Sequence, residues 1–150
     1  MRELQDGSEF RFADWPVASV PRLAAGVYTI WRGGQLVYAG MSGDLWKRLN
    51  SHASGRRGGD QFNIYVCDRF VVPILTPAQQ GEISRGELLL DRLTRDYIRD
   101  QLTYRFVVCL DGAKARELER AVRAGQLPAG RPFLNPLVQP DGSRTRRSGR

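Results

Sequence analysis

The chain has 150 residues, a net charge of +7 and 41% hydrophobic residues, enough for one domain with a buried core. That composition excludes a disordered or collagen-like chain. No apolar run approaches the ~20 residues of a membrane span, and the first residues hold no apolar signal segment, so the expectation is a cytoplasmic protein without a membrane partner.

The excess positive charge is carried almost entirely by arginine, 21 against two lysines, and four arginines fall in the last ten residues. Guanidinium groups bind phosphate through two parallel N–H donors, so this balance suits a nucleic-acid partner. A merely solvated arginine-rich surface is the plainer alternative. Cys67 and Cys109 lie in apolar runs without a second soft ligand nearby and read as small buried residues. His52 is the only histidine, too few for a zinc centre.

Along the chain, residues 1–24 read as an irregular N-terminal segment. Gly26–Gly40 reads as a β-hairpin, with Gly33-Gly34 between two β-prone runs. A helix of about ten residues comes next, with Ser42 as its N-cap. Leu45, Leu49 and Ala53 form its apolar stripe, and Arg48 and His52 share a second face. Ser54–Gly59 is a basic loop containing Arg56 and Arg57. Phe62–Cys67 reads as a strand, and Val71–Leu75 as extended backbone. Ser84 and Glu87 have capping-box spacing, which predicts a helix to about Asp100 burying Leu89, Leu90, Leu93 and Tyr97. Thr103–Leu110 reads as a strand. Asp111 caps a last helix through Ala115, Leu118 and Val122, and a loop runs from Pro128 to Pro136. A tight hairpin forces an antiparallel pair, so the class is α+β, with a small antiparallel sheet flanked by helices.

Gly26-Val27-Tyr28, then Tyr38-Ala39-Gly40, then Arg48 and His52 on a helix, a later helical Glu119 and finally Asn135 form an ordered set. In that order and on those elements the set resembles the GIY-YIG nuclease family, over about residues 25–136. An insertion at about 60–100 lengthens the gap between Arg48 and Glu119, and residues 137–150 form a basic tail expected to be disordered. Met41 stands where many members carry a lysine, which removes one cationic contact to phosphate.

The resemblance implies a DNA endonuclease that hydrolyses phosphodiester bonds with one Mg²⁺ or Mn²⁺. Its catalytic residues would be Tyr28, Tyr38, Arg48, His52, Glu119 and Asn135. Glu119 would hold the metal, Tyr28 would act as general base, Arg48 would contact the phosphate and Asn135 would brace the site. Lys47, Arg48, Arg56, Arg57 and the tail residues Arg144, Arg146 and Arg147 are the expected DNA contacts. The chain would work as a monomer or a homodimer.

The residues themselves leave plainer readings open. Glu119 edges the apolar stripe of its helix and needs a partner, either a metal or a nearby arginine, whereas Glu117 falls on the solvated face. Arg48 could pair with Asp44 at helical spacing, and the tyrosines could be core aromatics. A phenol titrates near pH 10 and needs a cation, metal or hydrogen bond to act as base. A non-catalytic nucleic-acid-binding module of the same fold is the alternative function. There is no P-loop, no nucleophile elbow and no paired-histidine metal motif.

Using both phenols imposes one geometric condition. A plain two-residue turn at Gly33-Gly34 would put Tyr28 and Tyr38 on opposite faces of the hairpin. A three-residue loop with positive φ at Gly34 would instead bring them to one face, the face expected to receive Arg48 and Glu119 as well.

Overall fold

The computed structural model describes residues 1–136. The tail arginines Arg144, Arg146 and Arg147 lie outside the described residues. The class is α+β: a four-stranded antiparallel sheet in the order β1-β4-β2-β3, with helices on both faces. Its strands are β1 (Phe10–Arg11), β2 (Gly26–Arg32), β3 (Gln35–Ser42) and β4 (Thr103–Val108). One face, carrying Tyr28 and Ile30, packs on α2 (Leu45–Ala53), α3 (Gln61–Val66) and α5 (Leu90–Gln101). The other face, carrying Val27, Trp31 and Ala39, packs on α6 (Gly112–Arg123) and on α1 (Arg2–Asp6). A short α4 (Pro77–Ser84) lies between α3 and α5 in the chain.

The hairpin meets the geometric condition by another route. The turn has two residues, pairing Arg32 with Gln35 and Trp31 with Leu36. Positive φ falls at Gly33, at 58°, and not at Gly34. Val37 is then an extra residue: Ile30 pairs with Tyr38 and Tyr28 with Gly40. This β-bulge moves β3 by one position, and a one-residue shift reverses which face every later side chain occupies. Tyr28 and Tyr38 therefore share a face, with ring centroids 6.4 Å apart.

Several predicted elements change. Residues 1–24 are partly regular, with α1 burying Leu4 and β1 pairing with β4. The helix after the hairpin starts later than Ser42, because β3 continues through Ser42. Asp44 is its cap, accepting from the Lys47 backbone N–H at 3.1 Å.

Phe62–Cys67 is helical rather than extended, and helical backbone continues to Ile74. Asp60 caps α3, which runs on into the π-helical turn Cys67–Val71 and the 3₁₀ turn Val72–Ile74. The buried residues Phe62, Val66 and Phe70 recur every four positions, which is a helical stripe. The capping box belongs to Thr76 and Gln79 and starts α4, which ends at Ser84. Glu87 pairs with Arg85 instead, and Leu89 precedes α5 and is exposed. Asp111 caps α6 as expected, accepting from Lys114 N–H at 2.9 Å. Cys67 is buried and free, while Cys109 is only partly buried. Among the described residues no helix is long and apolar enough to cross a membrane.

Candidate active site

Two of the hairpin's glycines, Gly26 and Gly40, stand where a larger residue would collide with its neighbours. A Cβ at Gly40 would overlap the Tyr28 hydroxyl, so the Tyr28 ring lies across β3 over this residue. A Cβ at Gly26 would strike Leu45 of α2 and the Val107 carbonyl. Helix α2 can therefore seat closely against the start of β2, which brings His52 over the hairpin. The apolar stripe Leu45, Leu49 and Ala53 anchors that helix in the core.

His52 is 1% exposed and sits between two oxygens. Its Nε2 is 2.7 Å from the Tyr28 hydroxyl, and its Nδ1 is 2.7 Å from Oδ2 of Asp60. The imidazole also packs edge-on against Tyr28 and Tyr38 and tilted against Phe62. Ser51 donates its hydroxyl to the same Asp60 oxygen at 2.7 Å. Burial lowers the His52 pKa below its usual value, against the opposing pull of Asp60. Asp60 goes below the usual carboxylate range: burial works against ionisation, but hydrogen bonds from His52, Ser51 and the Asn63 backbone outweigh it. The resting chain is thus a neutral imidazole on an ionised carboxylate.

Burial pushes the Tyr28 phenol well above its ordinary value and Tyr38 to about 12, with Arg48 pulling each of them down only in part. The chain's own groups therefore do not lower the Tyr28 pKa: the free phenol is protonated more firmly than in water. A phenol in this position could exchange its proton with His52 at 2.7 Å but is not held as a phenolate. Tyr38 is the less buried of the two rings and borders His52 and Phe62.

Arg48 is exposed, and Asp44 caps α2, so the alternative of an Asp44–Arg48 pair is not what the structure shows. Its charge acts on Tyr28, Tyr38 and His52 together. Glu119 projects from α6, which packs on the other side of the sheet and not, as expected, on the face of the phenols. Ala115 and Val122 seat this helix against Val27, Trp31 and Ala39. Even so, Glu119 acts through its charge on Tyr28. Its residue is 9% exposed, and Oε1 accepts from Arg123 Nη1 at 3.3 Å, a long contact. Oε2 makes no hydrogen bond among the described residues. Glu117 lies in solvent beside Lys114, as the helical phase predicts.

Asn135 acts on the edge of the sheet. Its Oδ1 accepts from the Ala39 N–H at 2.8 Å and its Nδ2 donates to the Ala39 carbonyl at 2.9 Å. Just before it, Leu134 N–H donates to the Val37 carbonyl at 2.8 Å and Phe133 N–H to the Leu36 carbonyl at 3.1 Å. Residues 133–135 thus clamp the bulge and the backbone between Tyr38 and Gly40. Asn135 touches backbone and not the phenols.

The expected DNA contacts separate. Lys47 and Arg56 are exposed. Arg57 is held by Asp91, Nε to Oδ1 at 2.7 Å, which ties the basic loop to α5 and takes part of its guanidinium out of play. Two residues at the site escape a reading of the sequence, Asp60 and Arg123. Asp60 ends the basic loop with cap spacing to Asn63, a signal hidden by reading the next residues as a strand. Arg123 is four residues after Glu119 on the same helix, so spacing alone could have supplied it.

No family model, no curated protein and no solved structure matches this chain.

Proposed function

We propose that the chain is a divalent-metal-dependent DNA endonuclease of the GIY-YIG kind. The observation that carries this reading is the 2.7 Å contact between Tyr28 and His52, with Arg48 and Glu119 both acting on the same phenol. A phenol with a proton acceptor behind it, an exposed cation beside it and a carboxylate near it suits hydrolysis of a phosphodiester.

The donor set fits a hard dication. Glu119 offers one oxygen with no protein partner among the described residues and one held only at 3.3 Å by Arg123. Among the described residues no three His, Cys, Asp or Glu side chains cluster. A single carboxylate is the kind of protein ligand Mg²⁺ accepts when phosphate oxygens and water complete its shell. Held by Glu119, Mg²⁺ or Mn²⁺ would supply polarisation of the phosphate and charge stabilisation at the leaving oxygen.

The chain's own groups do the remaining work. Tyr28 takes a proton from the attacking water as its own proton passes to His52. Arg48 steadies the negative charge that builds on the phosphate. Asn135 holds Ala39, and with it the strand over which Tyr28 lies. The exposed Lys47 and Arg56 supply sequence-independent attraction to the backbone.

The test is nicking of supercoiled plasmid with and without Mg²⁺ or Mn²⁺. Glu119→Gln should lower cleavage by about a thousandfold or more, the scale of losing a group that acts in the transition state, and leave DNA binding intact or tighter. Glu117→Ala should cut like the parent chain. DNA binding without metal-dependent nicking in the parent chain would instead establish a binding module.

A further inference from the structure

Asp60 is 3% exposed, and its two oxygens serve different partners. Oδ1 accepts from the Asn63 backbone N–H at 3.1 Å and caps α3. Oδ2 receives both the Ser51 hydroxyl and His52 Nδ1, each at 2.7 Å. A carboxylate that already accepts from the Asn63 N–H and the Ser51 hydroxyl, and whose pKa is lowered, is ionised and can only accept. The proton of the neutral imidazole therefore sits on Nδ1 and leaves Nε2 bare. At 2.7 Å from that bare nitrogen, the Tyr28 hydroxyl must donate.

We propose that Asp60 is the positioning residue of this site, fixing the His52 tautomer so that Nε2 faces Tyr28 as a proton acceptor. The chemistry it serves rests on the endonuclease reading above. In the hydrolytic step an O–H bond of the attacking water breaks and its proton goes to the Tyr28 oxygen. The Tyr28 proton moves to His52 Nε2, giving an imidazolium that the Asp60 charge stabilises. The water oxygen's electron pair forms the new P–O bond, the bond to the leaving sugar oxygen breaks, and that oxygen takes a proton from solvent. The same logic holds a histidine in the useful tautomer wherever a buried carboxylate meets its second nitrogen.

Capping alone would also explain a buried Asp60, and one substitution separates the two roles. Asparagine is as good an N-cap as aspartate. In Asp60→Asn the side-chain oxygen can keep the Asn63 N–H while the amide nitrogen faces His52 Nδ1. A donor there forces the imidazole proton to Nε2, which then donates to Tyr28 and cannot take its proton.

Because His52 is the only histidine, ¹⁵N NMR of imidazole-labelled protein reads one ring. The parent chain should show Nδ1 protonated and Asp60→Asn should show Nε2 protonated. Its plasmid cleavage should fall by about a thousandfold or more, on the scale of other wrong-tautomer variants. Asp60→Ser, which keeps a cap but offers no anion, should also lose cleavage while melting cooperatively. An Nε2-protonated parent chain would overturn the proposal, as would Asp60→Asn cutting within about threefold of it, well under 1 kcal/mol of barrier. A tautomer that switches as expected in a chain that never cleaves DNA would overturn the endonuclease reading and leave the Asp60 assignment standing.

Discussion

On the α2 side of the sheet, Tyr28, His52 and Asp60 are each no more than 3% exposed and are joined by contacts of 2.7 Å. On the α6 side, Glu119 lies closer to solvent and meets Arg123 at 3.3 Å with one oxygen only. The first arrangement is costly to assemble, since each polar group gives up water, and it persists because every partner is supplied from within. The second is loosely held, with one long arginine contact and one carboxylate oxygen without a partner among the described residues. The difference divides the proposed work: a proton relay built in advance on one face, and a charge-binding group left adjustable on the other.

The sharpest way to break that division is Gly40→Ala. The added methyl would overlap the Tyr28 hydroxyl, and β3 cannot easily retreat because Asn135 holds Ala39 from outside. Tyr28 must then swing off His52. Plasmid cleavage should fall by about a hundredfold or more, the usual consequence of misplacing a reacting group by an ångström. Stability should fall by about 1–3 kcal/mol for the overpacked contact, measured by denaturant unfolding. Unchanged cleavage in a folded Gly40→Ala protein would show that the buried relay is not part of the reaction.

Asn135→Ala attacks the clamp rather than the relay. It removes two hydrogen bonds from Ala39 and leaves the edge strand to find water. A stability loss of about 1–3 kcal/mol is expected. Cleavage should fall less than in Gly40→Ala, because Asn135 reaches the phenols only through the backbone. A larger cleavage defect than that of Gly40→Ala would mean that Asn135 meets the substrate itself.

How much of this is legible in the sequence depends on periodicity. The hairpin, the α2 stripe at Leu45, Leu49 and Ala53, and the Asp111 cap obey local rules that tertiary context does not override. Glu119 against Glu117 is readable from helical phase alone. The stretch Phe62–Val71 misleads because a short apolar run looks alike in strand and helix, although Phe62, Val66 and Phe70 do recur every four residues. The same ambiguity conceals Asp60 as a cap and so as the partner of His52. The resemblance asks for both phenols on one face, but does not say how they reach it. A bulge at Val37 leaves no mark in composition, and the carbonyls that fix it accept from residues nearly a hundred positions later.

A gentler probe of the buried face is acid stability. The His52 pKa is lower in the folded chain than the ordinary 6.5, because burial disfavours the imidazolium. Below pH 6.5 the unfolded chain therefore binds a proton that the folded chain refuses. Stability is fully present above that value and declines as pH falls toward the folded pKa. Asp60, also lowered, acts in a separate and more acidic window, below the ordinary carboxylate value of 3.8. His52→Gln should consequently flatten the stability profile just below pH 6.5 and also reduce the loss at the acid end, since His52 is the main partner holding the Asp60 pKa down. Denaturant midpoints measured at half-unit intervals from pH 7 to pH 5 decide the matter. A parent chain whose midpoint does not move across that range would mean that the pull of Asp60 fully offsets the burial of His52, leaving the imidazole as easily protonated in the fold as in water.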